Sequence, residues 1–236
     1  MAKKRQPPDD TALVWSPVAA RGNVRKWRLH ACGCARRNFP KRTAKKWLEF
    51  LELAERYADS EITQLEFEAE RARFREGRRP RLTGVSGDFD LALYDSESLS
   101  QTWRDVVIAA NREYTIDGPD YDLVLPRFQL LQDLIGPDPL PAFDPAWRSD
   151  TAFSLALGMY DLREFSAMPI LADALQDAGC VDPTILLHCQ NPEQFHTRGC
   201  WVVDLVLGHP QQPAEHTAPV ETDAEVQPRG RRRRHR

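Results

Sequence analysis

The amino-acid sequence predicts an all-α protein, an irregular multi-helix bundle of short and medium helices with disordered termini. Three observations support this fold class. Apolar residues recur at i, i+3 and i+4 through most of the chain. Residues that favour helix ends stand at the boundaries of these segments. Strand-like alternation is weak, and only GDFDLALYD at 87–95 is compatible with a short strand.

The first predicted helix covers residues 24–37. Trp27 and Cys34 share its apolar face with valine and alanine from the neighbouring turns. Cys32 lies two residues before Cys34, so we expect it on the flank of the helix. The arginines and lysines of this segment fall away from the apolar face. Pro40 lacks a backbone N–H donor and ends the helix.

Residues that favour helix ends also bound the remaining predicted helices. Asp182 followed by a proline is typical of an N-cap with proline at the first helical position, and Gly179 and Gly208 suit the position after a helix. Trp201 and Leu205 are predicted core residues of the last helix. The predicted helices cover 43–58, 61–76 with Ser60 as N-cap, 99–110, 126–135, 150–160 with Asp150 as N-cap, 170–178, 184–189 and 201–207.

These helices predict one domain over residues 23–208, with a possible sub-boundary in the proline-rich stretch 137–147. We expect residues 1–22 to be a disordered basic segment and 209–236 a disordered tail with an arginine-rich end. No apolar run approaches the ~20 residues of a membrane helix, and no apolar segment follows the charged start. The cysteines are not spaced as in a disulfide scaffold, which favours a cytoplasmic protein with reduced thiols.

Charge is distributed unevenly along the chain. Residues 1–46 contain 13 Lys/Arg against 2 acids and residues 209–236 contain 6 against 4, although the formal net charge is −3. The simpler interpretation is attraction between basic and acidic faces of one molecule. The alternative is weak, non-specific binding of a polyanion by the basic ends. The residues that could contact phosphates are Arg25, Lys26, Arg28, Arg36, Arg37, Lys41, Arg42, Lys45 and Lys46.

The segment 171–208 contains three of the five cysteines and two of the six histidines, each at or near a predicted helix end. One hypothesis is a zinc site formed by Cys180, Cys189, His196 and Cys200, with His188 as an alternative to Cys189. The spacing contains no C-x₂-C pair, which is the stronger indication of zinc. The other hypothesis, which the sequence favours, is that the cysteines are small buried hydrophobic residues and that no cofactor binds.

Motifs that indicate catalysis are not found. His188 and Cys189 are adjacent in sequence, but neighbours on a helix diverge by ~100° and do not form a nucleophile–base pair. The sequence contains no P-loop and no GxGxxG motif. We therefore assign no catalytic and no cofactor-binding residues.

Two segments carry a family resemblance. RKWRLHACGCARRNF with LELAERYADSEIT resembles the N-terminal helix pair of a family of bacterial hypothetical proteins that is expanded in planctomycete genomes. The pattern LADAL-x₃-GC…HC…H-x₃-CW-x₂-DL-x-LG resembles the same family's C-terminal signature. The resemblance covers roughly 24–75 and 140–208 and implies no known activity. Gly33 departs from the family, which commonly has another small residue or cysteine there, and the basic tail is an addition.

These observations favour a non-enzymatic helical protein that acts through protein–protein contacts, with an unknown protein as partner. The alternative is a zinc-stabilised or nucleic-acid-associated regulatory protein. An enzyme with its site on the acidic central part of the chain stays a third possibility, without a motif to support it.

Overall fold

The structure, a computed structural model, describes residues 22–38, 45–76, 121–209 and 211. These residues contain eight α-helices, one short 3₁₀ helix and no strand, which confirms the all-α fold class for this part of the chain. The α-helices are α1 Val24–Asn38, α2 Lys45–Ala58, α3 Gln64–Glu76, α4 Tyr121–Ile135, α5 Asp150–Leu162, α6 Met168–Asp177, α7 Pro183–Gln190 and α8 Trp201–Leu207, and the 3₁₀ helix is Pro145–Trp147.

Side-chain caps explain most of the helix starts. Asp182 accepts hydrogen bonds from the first free N–H groups of α7, as predicted, and Gly208 ends α8 with φ 79°. The cap of α5 is Ser149, one residue before the predicted Asp150. Ser60 does not cap α3. Instead Thr63 and Glu66 form a reciprocal capping box, in which the Thr63 N–H donates to Glu66 Oε2 over 2.8 Å.

Two predicted helices differ further from the structure. Helix α4 begins at Tyr121, five residues before the predicted start, so Pro126 lies inside the helix and not at its first position. Helix α6 begins at Met168, before the predicted 170. The predicted helix at 99–110 and the possible strand at 87–95 lie outside the described residues. So do the predicted disordered ends at 1–22 and 209–236, except for residues 22, 209 and 211.

The apolar interior consists of two clusters. The first packs α1 to α4 together and includes Trp27, Leu51, Phe67 and Leu131. The second packs α5 to α8 and includes Trp201. Helix α4 contacts both α1 and α8. The segment between the clusters contains the predicted sub-boundary 137–147, and the polar groups described below join the two clusters.

The first helix is buried on more sides than its sequence pattern predicts. Cys32 is fully buried in the first cluster, and its predicted position on the flank is wrong. Lys26 and Arg28 are buried as well. The reason is that α1 lies between several elements, so residues off the apolar stripe also meet other parts of the protein.

The buried imidazole of His30 makes the stability of the fold pH-dependent. Its Nε2 lies 2.9 Å from the carbonyl oxygen of Arg127, to which an imidazole N–H donates. Burial lowers the pKa of His30 to about 4. The unfolded chain protonates this residue near pH 6.5, so between pH 6.5 and 4 the unfolded state binds more protons. Stability therefore falls as the pH is lowered through this window.

We expect His30 to lower the free energy of unfolding by about 3 kcal/mol as the pH falls from 6.5 to 4. His30→Gln keeps an amide donor for Arg127 but does not titrate. Urea unfolding of both proteins at several pH values should give a flatter profile for the variant. Parallel profiles would show that His30 has the same pKa in the folded and unfolded states.

None of the described helices is both long and apolar enough to cross a membrane.

Candidate metal centre

Four potential metal ligands converge in the interior, where α4 meets α7 and the start of α8. They are Asp133, His188, His196 and Cys200, and one ligand atom from each lies within 4.8 Å of the others. Asp133 and Cys200 are fully buried. The side chains of His188 and His196 are only 11% and 6% exposed.

Local structure positions each of these ligands. Asp133 lies in the last turns of α4, and its neighbours Leu131 and Leu134 are buried in the first cluster. His188 lies in the last turn of α7. Cys200 precedes α8, and a turn in which the Cys200 N–H donates to the carbonyl oxygen of Thr197 brings it towards the same point.

Four of the six distances between the ligand atoms lie within about 0.4 Å of those around a tetrahedral zinc ion. Nδ1 of His196 and Nε2 of His188 lie 2.9 and 3.2 Å from Oδ1 of Asp133. Sγ of Cys200 lies 3.2 Å from Nε2 of His188 and 3.8 Å from Nδ1 of His196. A tetrahedral zinc ion requires separations of about 3.3 Å between nitrogen or oxygen ligands and about 3.6 Å between sulfur and nitrogen.

Hydrogen bonds hold the carboxylate of Asp133 in its ionised form. Burial opposes ionisation, but hydrogen bonds from His188 and His196 outweigh it, and the pKa of Asp133 is lowered. The Thr197 N–H donates to the second oxygen over 2.8 Å. Burial and the nearby Asp133 raise the pKa of the Cys200 thiol well above its usual value. Without a metal, the cluster therefore contains one carboxylate and a neutral thiol.

Each histidine uses a defined ring nitrogen. The indole N–H of Trp201 lies 3.2 Å from Nδ1 of His188, and an indole nitrogen only donates. This contact makes Nδ1 the acceptor and places the proton of neutral His188 on Nε2, facing Asp133. In His196 it is Nδ1 that faces Asp133, and its Nε2 is buried without a hydrogen-bond partner among the described residues.

This geometry does not form a Cys–His–Asp catalytic triad. In such a triad one histidine contacts the nucleophile through one ring nitrogen and the acid through the other. Here Nε2 of His188 contacts both Cys200 and Asp133. Nδ1 of His196 also contacts both. The four groups point at one common centre, and such an arrangement suits an ion.

The sequence-predicted ligands separate into two groups in the structure. His196, Cys200 and the alternative ligand His188 belong to the cluster. Cys180 and Cys189 do not, and both are buried in the apolar core of the C-terminal helices. Burial raises the pKa of Cys189 to about 12, as expected for an inert thiol.

Asp133 is the ligand that the sequence analysis missed. It stands in FQLLQDLI, among residues whose spacing indicates a buried helix face. A single acid in such a segment is a weak signal, because most acids in helices are solvated. Its partners lie more than 50 residues further along the chain.

A second polar cluster joins α1 to the C-terminal helices. Arg25 donates to both oxygens of Asp204, over 2.6 and 3.0 Å, and its Nε donates to Asp59 over 2.8 Å. Lys26 Nζ lies 2.5 Å from Asp204 and donates to the carbonyl oxygen of Gly199. Lys26 and Asp204 are completely buried. Each cation therefore has a carboxylate partner, as burial requires.

Glycine at position 199 allows the loop that carries the ligands to lie close to α1 and α4. Its φ is +89°, and an added Cβ would lie 2.6 Å from Leu29 and 2.8 Å from Leu134. A larger residue would separate α1 and α4 from the loop that carries the ligands.

Burial of this second polar cluster reduces the set of residues that could contact nucleic-acid phosphates. Lys26 and Arg28 are not available to nucleic-acid phosphates, and Arg25 is engaged by two carboxylates. Lys45 and Lys46 remain exposed on α2. Lys41 and Arg42 lie outside the described residues. Three of the nine residues that could contact phosphates are therefore engaged inside the protein.

Comparison with known proteins gives no match: no family model, no curated protein and no solved structure is similar to this chain. The resemblance to the planctomycete-expanded family stays a prediction.

Proposed function

We propose that this chain is a zinc-binding helical protein, in which one ion joins α4 to α7 and to the start of α8. The observation that carries the proposal is the convergence of four ligand atoms, from three separate parts of the chain, within 4.8 Å of one another. This is the zinc-stabilised alternative of the sequence analysis, with Asp133 and His188 in place of Cys180 and Cys189.

The chemistry of the donor set supports zinc. A thiolate, two imidazoles and a carboxylate are the ligands that zinc takes in proteins, and a tetrahedral arrangement suits its filled d shell. Four protein ligands leave no position for a substrate, which is typical of structural rather than catalytic sites. The proposed role is therefore to stabilise the joint between the two apolar clusters.

Zinc binding and the proton network are alternative states of the same four side chains. With zinc bound, Nε2 of His188 and Nδ1 of His196 coordinate the ion and their protons move to the opposite nitrogens. Cys200 loses its proton. For His188, the new Nδ1–H faces the indole N–H of Trp201, so zinc binding breaks that hydrogen bond.

Elemental analysis of the purified protein, after gel filtration without added metal, should give one zinc per chain. Cys200→Ala and Asp133→Ala should each weaken zinc binding by about 100-fold or more, since even residues that only orient a ligand contribute 10–100-fold. Competition with a chromophoric chelator measures the affinity. Cobalt substitution should give a spectrum of tetrahedral coordination with one thiolate.

Cys189→Ala and Cys180→Ala are matched controls, because each removes a buried thiol outside the cluster. Both should retain zinc at nearly the affinity of the unaltered protein. Absence of stoichiometric metal would disprove the proposal. Equal losses in Cys189→Ala and Cys200→Ala would favour the ligand set predicted from spacing alone.

A role in protein–protein contacts is compatible with a structural zinc site, and the partner stays a prediction. Large apolar side chains remain exposed around the C-terminal helices, and such side chains can contribute to an interface. They are Phe153, Leu157, Leu162, Ile170, Val181 and Leu187.

A further inference from the structure

A cleft of about 190 Å³ lies beside the metal cluster, between α1, α5 and the loop that precedes α8. Among the described residues, four arginines and one carboxylate, Glu55, line it. The ring of His196 also lines the cleft. The same histidine therefore belongs to the metal cluster and to the wall of an arginine-rich cleft.

The arginines of this cleft are not fully neutralised. Arg36 and Arg163 share the carboxylate of Glu55, so two positive charges face one negative charge. The guanidinium of Arg37 lies 4.3 Å from the centre of the Phe195 ring. No carboxylate of the described residues pairs with Arg37. The fourth arginine, Arg198, is paired with Asp59 and Glu61.

The wall contributed by His196 contains an unsatisfied polar atom. The side chain is 6% exposed, and Nδ1 is directed at Asp133. The other ring nitrogen, Nε2, diverges from that direction. It is buried and has no hydrogen-bond partner among the described residues. A buried polar atom of this kind requires an explanation.

We propose that the cleft binds a single oxyanion group, a phosphate or a carboxylate, and that zinc binding strengthens this interaction through His196. The second part rests on the zinc site proposed above. When Nδ1 coordinates zinc, the proton of the neutral imidazole must lie on Nε2. That nitrogen is then a hydrogen-bond donor for the anion.

Without zinc the same nitrogen opposes anion binding. In the neutral imidazole whose Nδ1–H donates to Asp133, Nε2 carries a lone pair instead of a proton. Guanidinium groups match the planar, multiple acceptors of oxyanions. Arg37 and the uncompensated charge of Arg36 and Arg163 therefore supply affinity in both states, whereas His196 makes it depend on the metal. The coupling is reciprocal, so the anion also strengthens zinc binding.

The test uses the full chain loaded with one equivalent of zinc, with no free metal, and the same chain after chelation. Calorimetric titration with inorganic phosphate, and separately with acetate, is done at constant ionic strength in a buffer without other oxyanions. We expect the zinc-loaded protein to bind one of the two anions at least about fivefold more tightly than the metal-free protein. The two anions distinguish a phosphoryl from a carboxylate ligand.

Arg37→Gln should weaken anion binding by about tenfold, because it removes a charged donor. Zinc content should not change, since Arg37 is not a ligand. The loss of thermal stability should be small, because Arg37 is exposed and the variant loses its contact with the Phe195 ring but no ion pair among the described residues. Arg73→Gln, an exposed arginine on α3, is the matched control and should have no effect.

The outcomes separate the two proposals. If zinc binds but neither phosphate nor acetate binds, or if Arg37→Gln has no effect, the cleft is not an anion site and the zinc site stands. Equal anion affinity with and without zinc overturns the coupling through His196. If no zinc binds, the zinc site fails and the coupling fails with it.

Discussion

Replacing Asp204 with asparagine is expected to lower the free energy of unfolding by about 3–5 kcal/mol, as for other buried ion pairs that lose one partner. Asparagine has nearly the same shape as aspartate, so the change creates no cavity. It leaves the buried ammonium of Lys26 without a carboxylate, and Arg25 keeps only its pair with Asp59. Chemical denaturation at neutral pH, followed by circular dichroism, measures the loss.

The acid sensitivity of the variant provides a second readout. Burial alone would raise the pKa of Asp204, but Lys26 and Arg25 outweigh it and the pKa is lowered. The native state therefore keeps this carboxylate ionised while the unfolded chain protonates it near pH 3.9. The stabilisation is present above that pH and is lost as the pH falls further, so Asp204→Asn should flatten the profile there.

Glu49→Gln is a suitable control because Glu49 forms an exposed i,i+4 pair with Lys45. Exposed pairs of this kind contribute about 0.3–0.5 kcal/mol. If Asp204→Asn were no more destabilising than this control, the buried network would not contribute to the joint between α1 and α8.

Replacing Trp201 with alanine is expected to cost about 3–5 kcal/mol, as for other large aromatic residues in a core. Trp201 is 2% exposed and belongs to the C-terminal apolar cluster. Its ring centre lies 5.0 Å from that of His188. Denaturation of the metal-free protein measures the loss of packing and of the indole hydrogen bond together. A nearly neutral result would mean that α8 is peripheral to stability.

The matched variant Trp201→Phe separates packing from hydrogen bonding. Phenylalanine retains an aromatic ring but lacks the indole N–H that donates to Nδ1 of His188. The loss of stability should be smaller than in Trp201→Ala. Zinc affinity should rise, because the Nδ1–H of a zinc-bound His188 no longer faces a second donor. A lower zinc affinity in this variant would show that the indole supports the metal-bound state.

Both variants act at the joint between the two apolar clusters. Asp204 joins α8 to α1, and Trp201 packs beside the ligand His188. Asp133 contributes the α4 ligand of the proposed zinc site. We therefore expect the stability of the joint and the affinity of the proposed zinc site to be coupled.

The sequence by itself determined the all-α class and many of the helix boundaries. Periodicity and caps are local, and a cap such as Asp182 or Gly208 acts within its own helix turn. Trp201 was predicted in the core and is buried, whereas Leu205 is half-buried. His196 and Cys200, four positions apart in the sequence, were placed in the same predicted site.

Only the tertiary structure decided which polar groups meet. Asp133 joins ligands from α7 and α8, and Lys26 reaches Asp204 across 178 positions of sequence. Cys189 has the same residue type as Cys200 but packs in the apolar core. The amphipathic pattern of a helix indicates whether a side chain is buried. It does not indicate which distant side chain that residue will contact. Contacts of that kind follow from the packing of α1 and α4 against the C-terminal helices.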